Sequence, residues 1–213
     1  MAVASRAPER ARRSDFESSR RRILAAAREV TAERGPEALT VSEVAHRAGL
    51  NRTTTYQHFR TRDDLVGAVM SVMVDDVTRM LLLPLPLEER IDHIAAFLHE
   101  HPEIARLTLH QLLTENPVPR EGLDAVLGEV QRIATGPGAQ PGVDHEMLAY
   151  MLICMSTLWP LVARALHDDE ADARHATERL TQELKRLLLH GVLRPAEWPG
   201  LEASIDSAEK GRA

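Results

Sequence analysis

Apolar residues recur at three- and four-residue spacing along most of this chain, and no long run alternates residue by residue. That periodicity belongs to amphipathic helices rather than strands, so the pattern predicts an all-α fold. Ser14 with Glu17 reads as a capping box, opening a helix to Arg34 that Gly35 and Pro36 stop. Ile23, Leu24, Ala27 and Val30 form its buried stripe. Thr40 and Glu43 make a second box, with Leu39 and Val44 as its hydrophobic staple. Gly49 falls where a helix ends in a left-handed residue, Leu50 plugs the turn, and Asn51 is a strong N-cap for the next helix. Two short helices joined in this way, the second running from Arg52 to Phe59, make a helix-turn-helix.

Thr61 and Asp64 cap a long helix from Arg62 to about Leu82, broken by LLLPLPL at Leu81 to Leu87. Further helices are predicted at Glu88–Glu100, Pro102–Thr114, Arg120–Thr135, Val143–His167 and Glu170–His190. Breaks are expected at Pro102, Asn116 to Pro119, Gly136 to Gly142, Asp168–Asp169 and Gly191. The expected organisation is a disordered arginine-rich arm over 1–13, a helix-turn-helix domain over 14–62, a helical domain over 63–193 and a tail over 194–213.

The second helix of the helix-turn-helix carries the chemistry. It holds Thr53, Thr54 and Thr55 in a row, each about 0.5 kcal/mol worse than alanine in a helix. A helix in a DNA groove has a use for them, since a threonine hydroxyl bonds a base edge or phosphate and its methyl packs on thymine. Arg52 can fork onto a guanine or a phosphate, and Tyr56, Gln57 and His58 offer polar tips. Thr40 and Ser42 at the start of the first helix, and Arg62 beyond the second, complete the candidate DNA-binding set. A solvated helix with a polar face is the competing reading of these residues taken alone.

Thr40, Ala48, Gly49, Tyr56, Phe59, Arg62 and Leu65 stand in an order and spacing that resembles the DNA-binding domain of the tetracycline-repressor-like (TetR/AcrR) family, over about Ile23 to Val69. Two positions depart from the family pattern: Thr55 replaces the usual Leu or Phe, and Arg62 the commoner Lys. The resemblance implies a dimeric regulator that binds double-stranded DNA at a palindromic operator, usually a repressor. It also implies a C-terminal helical domain that encloses a small-molecule effector. On that basis Met70, Met73, Phe97, His110, Leu113 and Trp159 are candidate pocket residues.

Charge sharpens this division. Residues 1–62 carry 13 Lys and Arg against 7 Asp and Glu, while the remainder carries 13 against 25. A basic third holding the helix-turn-helix points to a polyanion there, and the acidic remainder argues against nucleic acid wrapping the whole chain. The single cysteine, Cys154, excludes an intrachain disulfide and fits a cytoplasmic setting. It lies among apolar neighbours where burial would keep it inert. Ten histidines lack metal-ligand spacing, and there is no Gly-rich phosphate loop or nucleophile elbow, so neither a metal, a cofactor nor an enzyme activity is expected.

Met147 to Ala163 contains no Asp, Glu, Lys or Arg. Ser156, Thr157 and Pro160 interrupt it, and it reads as a helix burying two faces rather than a membrane span. The following helix has Ala173, Thr177, Leu180, Leu184 and Leu187 at coiled-coil-like spacing. Two such helix pairs about a two-fold axis make a four-helix bundle, which is how the resembled family dimerises, so Met151, Met155 and Leu158 with Leu180, Leu184 and Leu187 are the expected homodimer seam. Burial of both faces within one chain is the alternative. A constitutive DNA-binding protein without effector, and a helical interaction module with a vestigial helix-turn-helix, stand as the alternative functions.

Overall fold

The computed structural model describes residues 6–114 and 120–210. Among them are ten α-helices and two 3-10 turns, with one isolated bridge between Ala139 and Leu193 in place of any sheet. The chain divides into two compact units, Met1–Val72 and Met73–Ala213. That division falls inside a helix, later than the boundary expected at residue 62.

The first unit holds α1 (Arg6–Arg34), α2 (Val41–Arg47), α3 (Arg52–His58) and the first part of α4 (Arg62–Leu81). Ile23, Leu24, Ala27 and Val30 of α1 are buried, as the spacing predicts; Leu39, Val44, Ala45 and Phe59 are buried too, and α1 packs on α2 and α3. Thr40 caps α2 by accepting from Glu43 N at 3.2 Å, and Asn51 caps α3 by accepting from Thr54 N at 2.7 Å. Thr61 and Asp64 cap each other reciprocally at 3.0 Å.

Helix α1 departs from expectation. It runs straight through Ser14 and Glu17 from Arg6, so that pair caps nothing and the arm expected over 1–13 is helical from Arg6 on. Residues 6–13 are mostly Ala, Arg and Glu, good helix formers, and Pro8 stands in the first turn, where its missing N–H breaks no helical bond. Residues 1–5 lie outside the described residues, as does the break expected at Asn116 to Pro119.

The second unit contains α5 (Leu87–Glu100), α6 (Pro102–Leu113), α7 (Arg120–Ala134), α8 (His145–Leu166), α9 (Glu170–Gly191) and α10 (Pro199–Lys210). Asp144 and Asp169 cap α8 and α9 through the amides of Met147 and Asp172. Helix α8 packs on α5, α6, α7 and α9, yet only 17% of the stretch whose length and composition would let it cross a membrane is buried, so the expectation that it buries two faces within the chain is not met. Cys154 corrects the sequence reading, since it is exposed on α8.

The tail expected from Arg194 is also corrected. Leu201 and Ile205 of α10 are buried against Leu189 and Leu193. Trp198 Nε1 donates to Gly138 O at 3.0 Å. Lys185 of α9 is fully buried and donates to Asp92 Oδ2 on α5 at 2.7 Å and to Ser204 Oγ on α10 at 2.8 Å. With two apolar residues in the buried stripe and Pro199 and Gly200 at its start, α10 gives almost no periodic signal. Pro199 sits at the first helical position, where proline is favoured.

Truncating the fully buried Leu201 to Ala leaves a cavity under α10 and should cost about 2–5 kcal/mol in urea denaturation. A loss below about 0.5 kcal/mol, typical of a surface site, would show that this segment is a tail after all.

Candidate nucleic-acid interface and effector cavity

The turn from α2 into α3 is a Schellman motif. Gly49 takes φ +62, Leu50 N donates to Ala45 O at 2.9 Å, and Gly49 N to His46 O at 3.1 Å. Arg22 Nη2 on α1 donates to Ala48 O at 2.7 Å, tying the turn to the helix that packs across it. The three threonines of α3 then separate. Thr55 is fully buried and its hydroxyl donates to Asn51 O at 3.3 Å, whereas Thr53 is exposed and Thr54 half-buried. Arg52 and Gln57 are exposed and Tyr56 is 50% exposed, so α3 presents Arg52, Thr53, Tyr56 and Gln57 outward. Thr40 is exposed and Ser42 half-buried at the start of α2.

Two members of the sequence-predicted set have other work. Arg62 turns inward, its Nε donating to Leu39 O at 3.0 Å and its Nη2 to Pro36 O at 2.9 Å. It clamps the entry to α2 rather than offering a free fork, and it is withdrawn from the interface. His58 stacks on Phe16 with ring centroids 3.9 Å apart. Burial first, then the nearby Arg20 cation, push its pKa below the ordinary 6.5. His58 is therefore half-buried and packed against α1, unlike the exposed Arg52, Thr53 and Gln57. Arg22, unread in the sequence, is a second clamp. Arg60, also unread, is exposed in the turn after α3 and has no hydrogen bond or ion pair among the described residues. Nothing in residue type separates clamping from free arginines; only the carbonyls they meet do.

The second unit holds a partly open cavity of about 170 Å³, walled by α4, α5, α7, α8 and α9. Its lining is aliphatic apart from a few groups, chiefly Arg90 with Glu129 and Trp159 with Thr177. Of the six pocket residues expected from sequence, Trp159 lines it. Met70 and Met73 are buried core outside the lining, Phe97 stacks on His101 at 4.5 Å, His110 is half-buried on α6, and Leu113 is 75% exposed. Helical periodicity shows that a face is apolar, not whether it meets a neighbour, a void or water.

The residues of the expected dimer seam fall into two groups. Met155, Leu180 and Leu184 line the chain's own cavity, and Leu158 is half-buried. Met151 and Leu187 are exposed, at 67% and 66%, and the exposed apolar positions of α8 continue through Met147, Val162 and Leu166. No cluster of three or more metal-ligating side chains occurs among the described residues.

Residues 23–69 match the family model for bacterial regulatory proteins of the tetR family. The uncharacterized HTH-type transcriptional regulator Rv2250c of Mycobacterium tuberculosis H37Rv is 30% identical over 154 residues, covering 64% of this chain and 78% of that protein. The chain belongs to the TetR family of transcriptional regulators. A second relative of the regulator, the HTH-type transcriptional repressor Rv3405c of the same strain, is 35% identical over 131 residues. That match covers 59% of this chain and 66% of the relative, just short of two thirds of its length. A solved gamma-butyrolactone receptor (ArpA like protein) shares the fold, with a TM-score of 0.59 at 18% identity over 92% of this chain and 99% of that one.

The separation of roles on this TetR-family domain is testable. Arg52→Ala should leave the melting temperature unchanged and cost about 1–3 kcal/mol of DNA affinity. Tyr56→Phe should cost about 1 kcal/mol per phosphate contact, equally on specific and scrambled DNA. Arg62→Ala, which takes the donor from Leu39 O and one of two donors from Pro36 O, should instead destabilise the fold by about 1–3 kcal/mol. A stable Arg62→Ala protein with weakened DNA binding would reverse the assignment, as would full affinity in Arg52→Ala.

Proposed function

We propose that this TetR-family regulator is a repressor that holds a palindromic operator as a homodimer and releases it when a small effector fills the cavity. The Met1–Val72 unit is the DNA-binding part, and Met73–Ala213 binds effector and partner. One observation carries the reading: α4 is continuous from Arg62, just past the recognition helix, to Leu81, and its last turns, at Val77 and Leu81, line the cavity wall. An effector touching those turns can favour a conformer of α4 that spaces two recognition helices wrongly for their half-sites, and linkage then weakens operator binding. The Rv3405c relative is named a repressor and the solved structure a gamma-butyrolactone receptor, and both names support this reading. Such a protein works in the cytoplasm, where the chromosome is.

Dimerisation would use the outward apolar positions of α8, Met147, Met151, Val162 and Leu166, with Leu187 of α9. Paired with a second copy, α8 and α9 form a four-helix bundle, and the two-fold axis matches an operator with two half-sites one helical turn apart. Selection from a random DNA pool should therefore return a palindrome, and sedimentation should show a dimer. Met151→Glu puts a charge into that face and should give monomers with operator affinity much reduced. A wild-type monomer selecting an asymmetric site would contradict the reading.

A further inference from the structure

The cavity is a long, mostly apolar slot whose lining includes the hydroxyls of Ser156, Thr157 and Thr181, with a hydrogen-bonded polar cluster toward each end. Along α5 its wall runs from Leu87 to Leu98, about 16 Å of helix axis. At the Leu98 end the Thr177 hydroxyl is used up. Trp159 Nε1 donates to Thr177 Oγ1 at 3.1 Å, the buried His99 Nδ1 lies 3.0 Å from the same oxygen, and the hydroxyl donates to Ala173 O at 3.0 Å. One donor and two lone pairs leave that hydroxyl nothing further to offer.

At the Leu87 end Arg90 Nη1 donates to Glu129 Oε1 at 2.6 Å and to Leu81 O at 2.8 Å. Arg132 supplies two more bonds to Glu129, at 2.6 and 2.8 Å, and these hydrogen bonds, first Arg132's and then Arg90's, hold the carboxyl below its usual pKa. Arg90 is only 8% exposed, yet its Nε–H has no hydrogen-bond partner among the described residues. Among the described cavity-lining side chains it is the buried polar atom left without one. Arg90 and Glu129 already neutralise each other inside, and Arg132 is more than half exposed, where water screens it. An anion entering here would bring a charge without a partner of its own. A carbonyl oxygen would bring an acceptor and no charge.

We propose that the cavity takes a neutral, elongated amphiphile, an acyl ester, amide or ketone, whose carbonyl oxygen accepts from Arg90 Nε–H while its hydrocarbon chain lies along α5 toward Trp159. This rests on the reading of the cavity as the effector site and names the chemistry that site selects. The same guanidinium holds the carbonyl of Leu81, the last residue of α4. The effector's head group is thus read by the side chain that also grips the end of the helix proposed to carry the response.

The test uses the full chain and three probes of matched length: methyl decanoate, sodium decanoate and dodecane. Trp159 is one of two tryptophans and lines the slot, so its emission reports occupancy, with thermal shift as a second readout. Methyl decanoate should bind about tenfold tighter than either other probe, one hydrogen bond's difference. Arg90→Lys keeps a cation opposite Glu129 but lacks the Nε–H, and should bring methyl decanoate down to the affinity of dodecane. Ala95→Phe fills the slot and should abolish binding of all three. Equal binding of ester and dodecane to the wild type, blocked by Ala95→Phe, would overturn the Arg90 assignment and leave the effector cavity standing. Tightest binding of decanoate would overturn the neutral class. Failure of every probe would overturn the inference, and the effector reading would fall with it if Ala95→Phe also left operator affinity unchanged.

Discussion

Gly49 takes φ +62 at the point where α2 ends and the chain turns into α3. A residue with a Cβ would lose about 1–2 kcal/mol there. The left-handed step lets Leu50 and Gly49 close both hydrogen bonds of the turn, and Asn51 then caps α3. Arg22 fixes the turn from outside through Ala48 O. The seven residues of α3 are too few to be helical on their own, so their geometry is borrowed from this joint and from the burial of Thr55. Every outward side chain proposed to touch DNA inherits its position from that joint.

Polar residues around the joint divide by what they meet. Arg22 and Arg62 spend their donors on main-chain carbonyls, and Arg47 pairs with Glu33 at 2.6 Å, a contact that pulls the Glu33 carboxyl below its usual pKa. Arg52 and Arg60 have no such partner among the described residues. The cap, staple and turn residues were legible in the sequence because each has a local rule: a side chain three residues from an amide, or a glycine at a left-handed position. The division among arginines was not, because it depends on carbonyls 23 to 27 residues away in the chain.

The same limit shaped the reading of the second unit. Helix boundaries from α5 to α9 fall within about two residues of expectation, set by Pro86, Pro102, Asp144 and Asp169. Which face does what was not legible. Helix α8 is apolar nearly all round because it packs on four helices, lines a cavity and turns Met147, Met151 and Leu166 outward. Leu180 and Leu184 carry the spacing of a dimer seam yet face the chain's own cavity. The buried Lys185 of α9 holds Ser204 of α10 in a contact that apolar periodicity cannot signal.

These parts become one regulator only if α4 transmits. Its first turns come directly after the recognition helix, its last residue is held by Arg90, and Val77 and Leu81 line the cavity. Amide hydrogen exchange along α4, with and without operator DNA, tests this most directly. The account predicts that operator binding changes protection in α3 and also in the cavity-lining turns from Val77 to Leu81. Changes confined to residues before Met73, with those turns unaffected, would contradict it.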